Sequence, residues 1–407
     1  MFQHSRTPSP SDLADNAWTK AWKVAKSNLP EIFDLTTSNP TVVGLPAIQP
    51  AEDDLRKALN AHYSPVPQGM QTTRDAIAQY YMEVMHDCAA FKNCPMYDQK
   101  MLAAHLQLFA STSEAYGALF KLLCAPGDDV ILFSPSYPLL SCLCLLDAIR
   151  TNFISFQDSA GEWEIDFYEL EKAITPKTRA VVIVSPNNPT GHCISFDEMS
   201  MLEHFCASKN IALIVDEVFA DFIIRPKDQS LRQPAAALAK EGLVFSLNGL
   251  SKVCGLPQHK LSWVLCGGNA ERVTEALDRL SFIADATLSA STWVQLLTPG
   301  FIAQRFVFQN AIMNRILENI EFLKDFAKDK PISLDLPEAG WCICVHPGGL
   351  TDNDENTAQK LAEAGIHIFP GTFFDFPDYK NTFVISTILR PEILRAGMDR
   401  LASLIWL

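Results

Sequence analysis

Residues 243–268, LVFSLNGLSKVCGLPQHKLSWVLCGG, decide how the chain is read. Two apolar runs, Leu243 to Leu247 and Leu261 to Cys266, have the character of strands, and the polar, glycine-bearing connection between them carries Lys252 and Lys260. Two cations are thereby set between buried strands. An ammonium is costly to desolvate, so the pair points to an anionic or electrophilic ligand in the gap, against the ordinary reading of two lysines that snorkel into water.

Upstream, similar apolar runs alternate with helical segments. His105 to Ala110, Asp129 to Phe133, Ala180 to Val184 and Ile211 to Val215 read as strands, and Ser113 to Leu123 and Leu139 to Leu146 as helices. Repeated strand then helix, with near-continuous apolar strands, predicts an α/β fold whose mostly parallel sheet is covered on both faces. Ligands of such sheets gather at the carboxyl ends of the strands. Before the sheet, Trp18, Trp22 and Ala25 give an apolar stripe that predicts a helix from Ser11 to Lys26; loop follows over Asp34 to Leu45, and helices over Glu52 to His62 and Thr73 to Met85. After Arg272 a helical stretch runs to about Lys330, with Pro299-Gly300 as a break. Strands at Cys342 to Val345, Ile366 to Phe369 and Phe383 to Thr387 and a helix from Pro391 then predict a smaller α/β lobe. The expected division is an N-terminal arm and part of the small domain at 1–45, a large domain at 46–299 and a small domain at 300–407.

Composition narrows the class. At 407 residues the chain is long enough for two lobes, and 48% hydrophobic with 20% charged residues is ordinary for a globular protein. A formal net charge of −14 opposes general attraction to nucleic acid or anionic membrane. The first residues lack a basic-then-apolar signal pattern and no run is long enough to span a bilayer, so the expected compartment is cytoplasmic. The 11 cysteines are an odd number set mainly among apolar neighbours, as in Cys142-Leu-Cys144 and Cys342-Ile-Cys344, which reads as small hydrophobes under reducing conditions, with no metal site.

Four strands end in unusual polar groups. His105 to Ala110 runs into Ser111-Thr112-Ser113-Glu114, where Ser111 and Glu114 have capping-box spacing at a helix start that suits a phosphate. Ile211 to Val215 runs into Asp216-Glu217, and a buried carboxylate calls for a partner. Ala180 to Val184 ends in SPNNPTG (185–191), a turn in which an X-Pro bond that is cis would hold an asparagine amide at the sheet edge. Asp129 to Phe133 ends in SPSYP (134–138), which offers the Tyr137 ring to a flat ligand. A phosphate seat, a carboxylate, an amide, an aromatic face and two lysines together match pyridoxal 5′-phosphate.

With these motifs in order (YSPVPQG, STSEAY, PSYP, SPNNPTG, VDEVFADF, LSK and PGTFFDF) the chain resembles the class I/II aminotransferases of fold type I, over nearly its whole length. The resemblance implies a mostly parallel seven-stranded sheet sandwiched by helices, and pyridoxal 5′-phosphate as cofactor. It makes Lys252 the Schiff-base lysine, Asp216 the partner of the ring nitrogen, Asn188 the amide on the cofactor's 3′-oxygen and Tyr137 the stacking ring. Thr112, with the amides around Ser111 and Thr112, is expected at the phosphate, joined by Lys260 where the family has an arginine; Ser251 and Phe219 are further cofactor contacts. Tyr63 resembles the tyrosine that reaches the partner subunit's cofactor, which implies a homodimer with shared active sites.

Three positions depart from the family pattern. Phe219 stands where a tyrosine donates to the 3′-oxygen, so the cofactor–lysine linkage is expected to keep its proton to higher pH. Lys260 cannot grip a phosphate in the bidentate manner of arginine. Val384, in FVIS (383–386), stands where an arginine clamps the substrate carboxylate, and Arg390 is the substitute candidate. The expected reaction moves an amino group between an amino acid and a 2-oxo acid by a ping-pong route. Two alternatives are β- or γ-elimination on the same scaffold, which shares these residues, and a ligand-sensing regulator, which the acidic charge and the missing DNA-binding extension disfavour.

Overall fold

The computed structural model describes the chain except residues 1–5, 10, 12, 87–93, 95, 97, 160–161, 226–233, 289, 377–380 and 407. A short strand β1 (Phe33–Asp34) precedes the large sheet. That sheet begins with β2 (Leu106–Phe109), β3 (Asp129–Ser134) and β4 (Arg150–Ser155), and a small hairpin of β5 (Gln157–Ser159) and β6 (Glu162–Glu164) interrupts it. It resumes with β7 (Thr178–Val184), β8 (Ala212–Asp216), β9 (Leu243–Gly249) and β10 (Ser262–Gly268). The order across the seven strands is β2-β10-β9-β8-β7-β3-β4. Neighbours from β9 through to β4 pair in parallel, whereas β10 runs antiparallel to both β9 and β2. The expected seven-stranded, mostly parallel sheet is therefore present.

Alternation of side chains places this sheet between two cores. Ile131 and Phe133 of β3 join the core on one face, and Val130 and Leu132 join the core on the other. Each such fully buried apolar side chain contributes about 1.5–3 kcal/mol relative to exposure. Parallel strands covered on both faces need this near-continuous apolar run, which is why they were readable. The strand β4 was not foreseen: at the sheet edge, RTNFIS is largely exposed and polar.

The second sheet joins β11 (Ile332–Asp335), β12 (Cys342–Pro347), β14 (Phe369–Pro370) and β15 (Phe383–Ser386) in the order β11-β12-β15-β14. The expected single strand Ile366 to Phe369 is split in two. Its first part, β13 (Ile366–His367), pairs in parallel with β1 and so ties the N-terminal segment to this lobe.

Two helix boundaries differ from expectation. The first helix is Ala17–Asn28 rather than one from Ser11, because the Asn16 side chain accepts the Thr19 amide at 2.9 Å and caps it there. Pro299-Gly300 does not break the chain: Thr292–Ala303 is one helix, and the interruption falls at Gln304 before the helix Arg305–Ala327. Proline at 299 deprives the Gln295 carbonyl of its helical donor, and the Thr73 hydroxyl supplies one at 2.8 Å.

Candidate active site

The carboxyl ends of β8 and β9 carry the central groups. Asp216 is the last residue of β8 and is buried; its Oδ2 accepts from the Tyr116 hydroxyl at 3.0 Å and its Oδ1 from the Val218 amide at 3.2 Å. Burial raises its pKa to about 6, against the lowering by those two donors and by Lys252. Glu217 points into a separate polar pocket, where its Oε1 accepts from the Ala235 amide at 2.7 Å and from Ser246 Oγ at 2.8 Å. Burial pushes this carboxyl up to about 8.

Lys252 follows β9 on a single helical turn, Leu250–Val253. Its Nζ lies 4.4 Å from the Trp341 ring centroid and 5.1 Å from that of Phe219. Burial lowers the ammonium pKa to about 8, opposed by Cys342 and Asp216. A cation on an aromatic floor is held by ring quadrupoles, yet its proton is loosened by the loss of water.

Lys252, Asn188, Tyr137 and Phe219 line one cavity of about 510 Å³. Asn188 sits in the turn 185–191, where the Ser185-Pro186 and Asn188-Pro189 bonds are both cis. Its neighbour Asn187 ties that turn down, donating to the Pro135 carbonyl at 3.1 Å and accepting from Thr190 Oγ1 at 2.9 Å. The Ser134-Pro135 bond before Tyr137 is cis as well, and the Ser136 amide donates to the Phe374 carbonyl at 3.0 Å. Two loops of the large sheet and a segment after β14 thus meet at the cavity.

Ser111, Thr112, Ser251 and Lys260 are not part of the cavity wall, yet register brings their segments to one edge of the sheet. Ser262 pairs with Phe109 on β2 and with Gly249 on β9, so the chain leaving β2 at Ser111, leaving β9 at Ser251 and entering β10 after Lys260 converges there. The Ser111 hydroxyl accepts the Glu114 amide at 3.1 Å at the start of the helix Thr112–Leu123. The reciprocal half of the capping box is absent: Glu114 Oε2 accepts the Ala110 amide at 2.8 Å instead. First-turn amides have no partner within their helix, an arrangement that suits an anion. Lys260 is exposed and left-handed, at φ 54°.

The remaining two residues lie elsewhere. Tyr63, 75% exposed, lines a separate groove of about 260 Å³ with Leu288 and Gln295. Arg390 is exposed at the start of the helix Pro391–Ile405, its stem lying against Gly44, and is not among the residues that line the cavity. Sequence reasoning overlooked Tyr116, Trp341, Ser386 and Thr36. Tyr116 had a signal, since it stands one helical turn beyond Thr112, on the face that packs on the sheet. The others had none, because the cavity wall they form comes from segments distant in sequence.

The family model for aminotransferase class I and II matches residues 30–400. The chain belongs to this family. Tyrosine aminotransferase of Bos taurus is 23% identical over 406 residues, which covers 95% of this chain and 86% of that one. Alanine aminotransferase of Mycobacterium tuberculosis (strain ATCC 25618 / H37Rv) is 24% identical over 389 residues, covering 91% and 85%. Among solved structures, alanine aminotransferase from Pyrococcus furiosus shares the fold, with a TM-score of 0.83 at 19% identity over 98% of this chain and 99% of that one. As a class I and II aminotransferase the protein uses pyridoxal phosphate. The cavity suits that cofactor: it joins a primary amine with a lowered pKa to an aromatic wall, and the buried Asp216 carboxylate acts electrostatically on both Lys252 and Tyr137. No described helix is long and apolar enough to cross a membrane.

Proposed function

We propose that Lys252 is the residue to which the cofactor of this aminotransferase is bound and the base that moves the substrate proton. One observation carries the reading: Lys252 Nζ, with its pKa lowered to about 8, stands in the same cavity as Asn188 and Tyr137 and within the field of buried Asp216. The bound cofactor supplies an electron sink for the bond broken at the substrate's α-carbon. Asp216 keeps a proton on the ring nitrogen, and Tyr116 holds Asp216 in place. Asn188 orients the cofactor's 3′-oxygen and Tyr137 covers its ring. Ser111, Thr112, Ser251 and Lys260 form the phosphate end. Lys252 would take the proton from the substrate's α-carbon and return it to the cofactor carbon on the far side of the amino nitrogen, and Phe219 and Trp341 keep water from the amine.

The protein acts as a homodimer in which Tyr63 reaches the neighbouring site; its high exposure and the exposed Leu59 and Val66 nearby support this. Residues 46–299 form the cofactor lobe, and 300–407 with the arm 1–45 form the lobe that covers it. The free thiols of the described cysteines favour a reducing, cytoplasmic setting.

A panel of amino acids mixed with holoenzyme tests the function. Transamination converts the cofactor to its amine form with one equivalent of 2-oxo acid. Release of ammonia and a 2-oxo acid without that conversion is the mark of elimination and contradicts the reading.

A further inference from the structure

We propose that the cavity takes an amino acid with a bulky apolar side chain and grips its carboxylate with the Ser386 hydroxyl rather than with a guanidinium. This deepens the aminotransferase reading and rests on it.

Charge comes first. Of the sixteen described residues that line the cavity, Lys252 is the one cation, and none of them is an arginine, aspartate or glutamate. Lys252 is committed to the cofactor and the proton transfer. Arg315 is committed to the carbonyls of Val43, Leu389 and Ile388 at 3.2, 3.3 and 3.5 Å, and Arg390 is exposed outside the cavity. A substrate with a second carboxylate would have to desolvate it against no counterion, which is strongly unfavourable. The wall that faces the side chain is instead aromatic: Phe369 and Phe373 stack at 5.0 Å, and Phe374 meets Phe373 edge-on at 5.2 Å. Leu139 completes it.

A stranded donor comes second. Val384 and Ser386 lie two apart on β15, share one face and both line the cavity. Ser386 is 2% exposed, and among the described residues its Oγ has no hydrogen-bond partner; the Trp341 indole nitrogen, in the same wall, is in the same condition. Buried hydroxyls are nearly always satisfied, and one that is not marks a place where a ligand atom completes the bonding. Rotation about χ1 alone re-aims a serine Oγ. The location is right for a carboxylate. Ser386 pairs across the strands with Cys342, the residue after the Trp341 ring that underlies Lys252 Nζ. The substrate carboxylate is one bond from the carbon on which Lys252 acts, so its partner must lie this close.

The test is calorimetric titration of holoenzyme with 3-phenylpropanoate, an unreactive carboxylate, beside glutarate as the dicarboxylate. Between about 20 mM and about 500 mM salt, binding of 3-phenylpropanoate is expected to change less than about threefold, because an uncharged donor is weakly screened. Ser386→Ala is expected to weaken it roughly tenfold, the size of a lost hydrogen bond to a charged group, and to raise KM for L-phenylalanine far more than it lowers kcat. A tenfold loss of wild-type affinity with salt, tighter binding of glutarate, or an unchanged affinity in a folded Ser386→Ala overturns the proposal. The salt series and the glutarate comparison use the wild type and decide the matter even where the variant does not fold. If the probe binds as expected but no amino acid is transaminated, the Ser386 contact stands and the reaction assigned above falls.

Discussion

Lys252 is the residue on which stability and function pull apart. Its folded pKa of about 8 lies below the ordinary lysine value of 10.5, so the folded state binds this proton less tightly than the unfolded chain. The resulting penalty is present in full below pH 8 and disappears as pH rises from 8 to 10.5; it is on the order of 3 kcal/mol at pH 7. Cofactor-free Lys252→Met is therefore expected to be more stable than cofactor-free wild type in chemical denaturation at pH 7, with the gain gone near pH 11. A variant that is less stable at pH 7 would show that the ammonium is comfortably solvated. Phe219 makes a second prediction, because it lines the cavity and brings a ring where a phenol would donate a hydrogen bond. Phe219→Tyr is expected to lower the pH at which the visible band of the holoenzyme titrates, by about one unit. An unchanged midpoint counts against a role for this position in setting the proton affinity. Lys252, Asp216, Asn188 and Tyr137 were legible in the sequence because each ends or follows an apolar strand, where a polar group is conspicuous. Ser386 was quoted only as a landmark beside Val384, since nothing local distinguishes a serine whose hydroxyl is stranded by packing.

At the scale of elements, the turn 185–191 is where the two sheets are fastened together beside the site. Gly191 has φ +72°, and a Cβ there would lie 2.4 Å from both the Ala339 carbonyl oxygen and Pro337 Cβ. The contact is a made connection: the Ala339 amide donates to the Gly191 carbonyl at 3.0 Å, and the Cys193 amide to Glu338 Oε2 at 2.8 Å. Gly191→Ala combines a left-handed backbone with a steric clash and is expected to destabilise the protein by about 2–4 kcal/mol in thermal or chemical unfolding, with weaker cofactor retention through Asn188. A loss under about 0.5 kcal/mol would mean that the two segments separate freely. The inner strands were legible because burial on both faces imposes an apolar run, as in β7, TRAVVIV. Elements that depend on distant partners were not: β4 is polar at an edge, and the helix through Pro299 survives because Thr73, 226 positions earlier in the numbering, replaces the missing donor.

For the whole molecule, the proposed dimer makes a prediction about which surface completes the site. Tyr63 lines a groove separate from the Lys252 cavity and is 75% exposed. If it serves the neighbouring site, mixed dimers of Tyr63→Ala and Lys252→Ala subunits contain one site with both residues intact and one with neither. Their activity is expected to approach half that of wild type per dimer, above that of the Tyr63→Ala homodimer. Mixed dimers with no more than half the Tyr63→Ala activity would place Tyr63 outside the site. The central claim concerns Lys252, and the most direct measurement is borohydride reduction of the holoenzyme followed by peptide mass mapping. The account predicts cofactor fixed to Lys252 in the peptide spanning LSKVCGLPQHK, and none fixed in Lys252→Ala. Label on Lys260 or another lysine, or full turnover by Lys252→Ala, would contradict it.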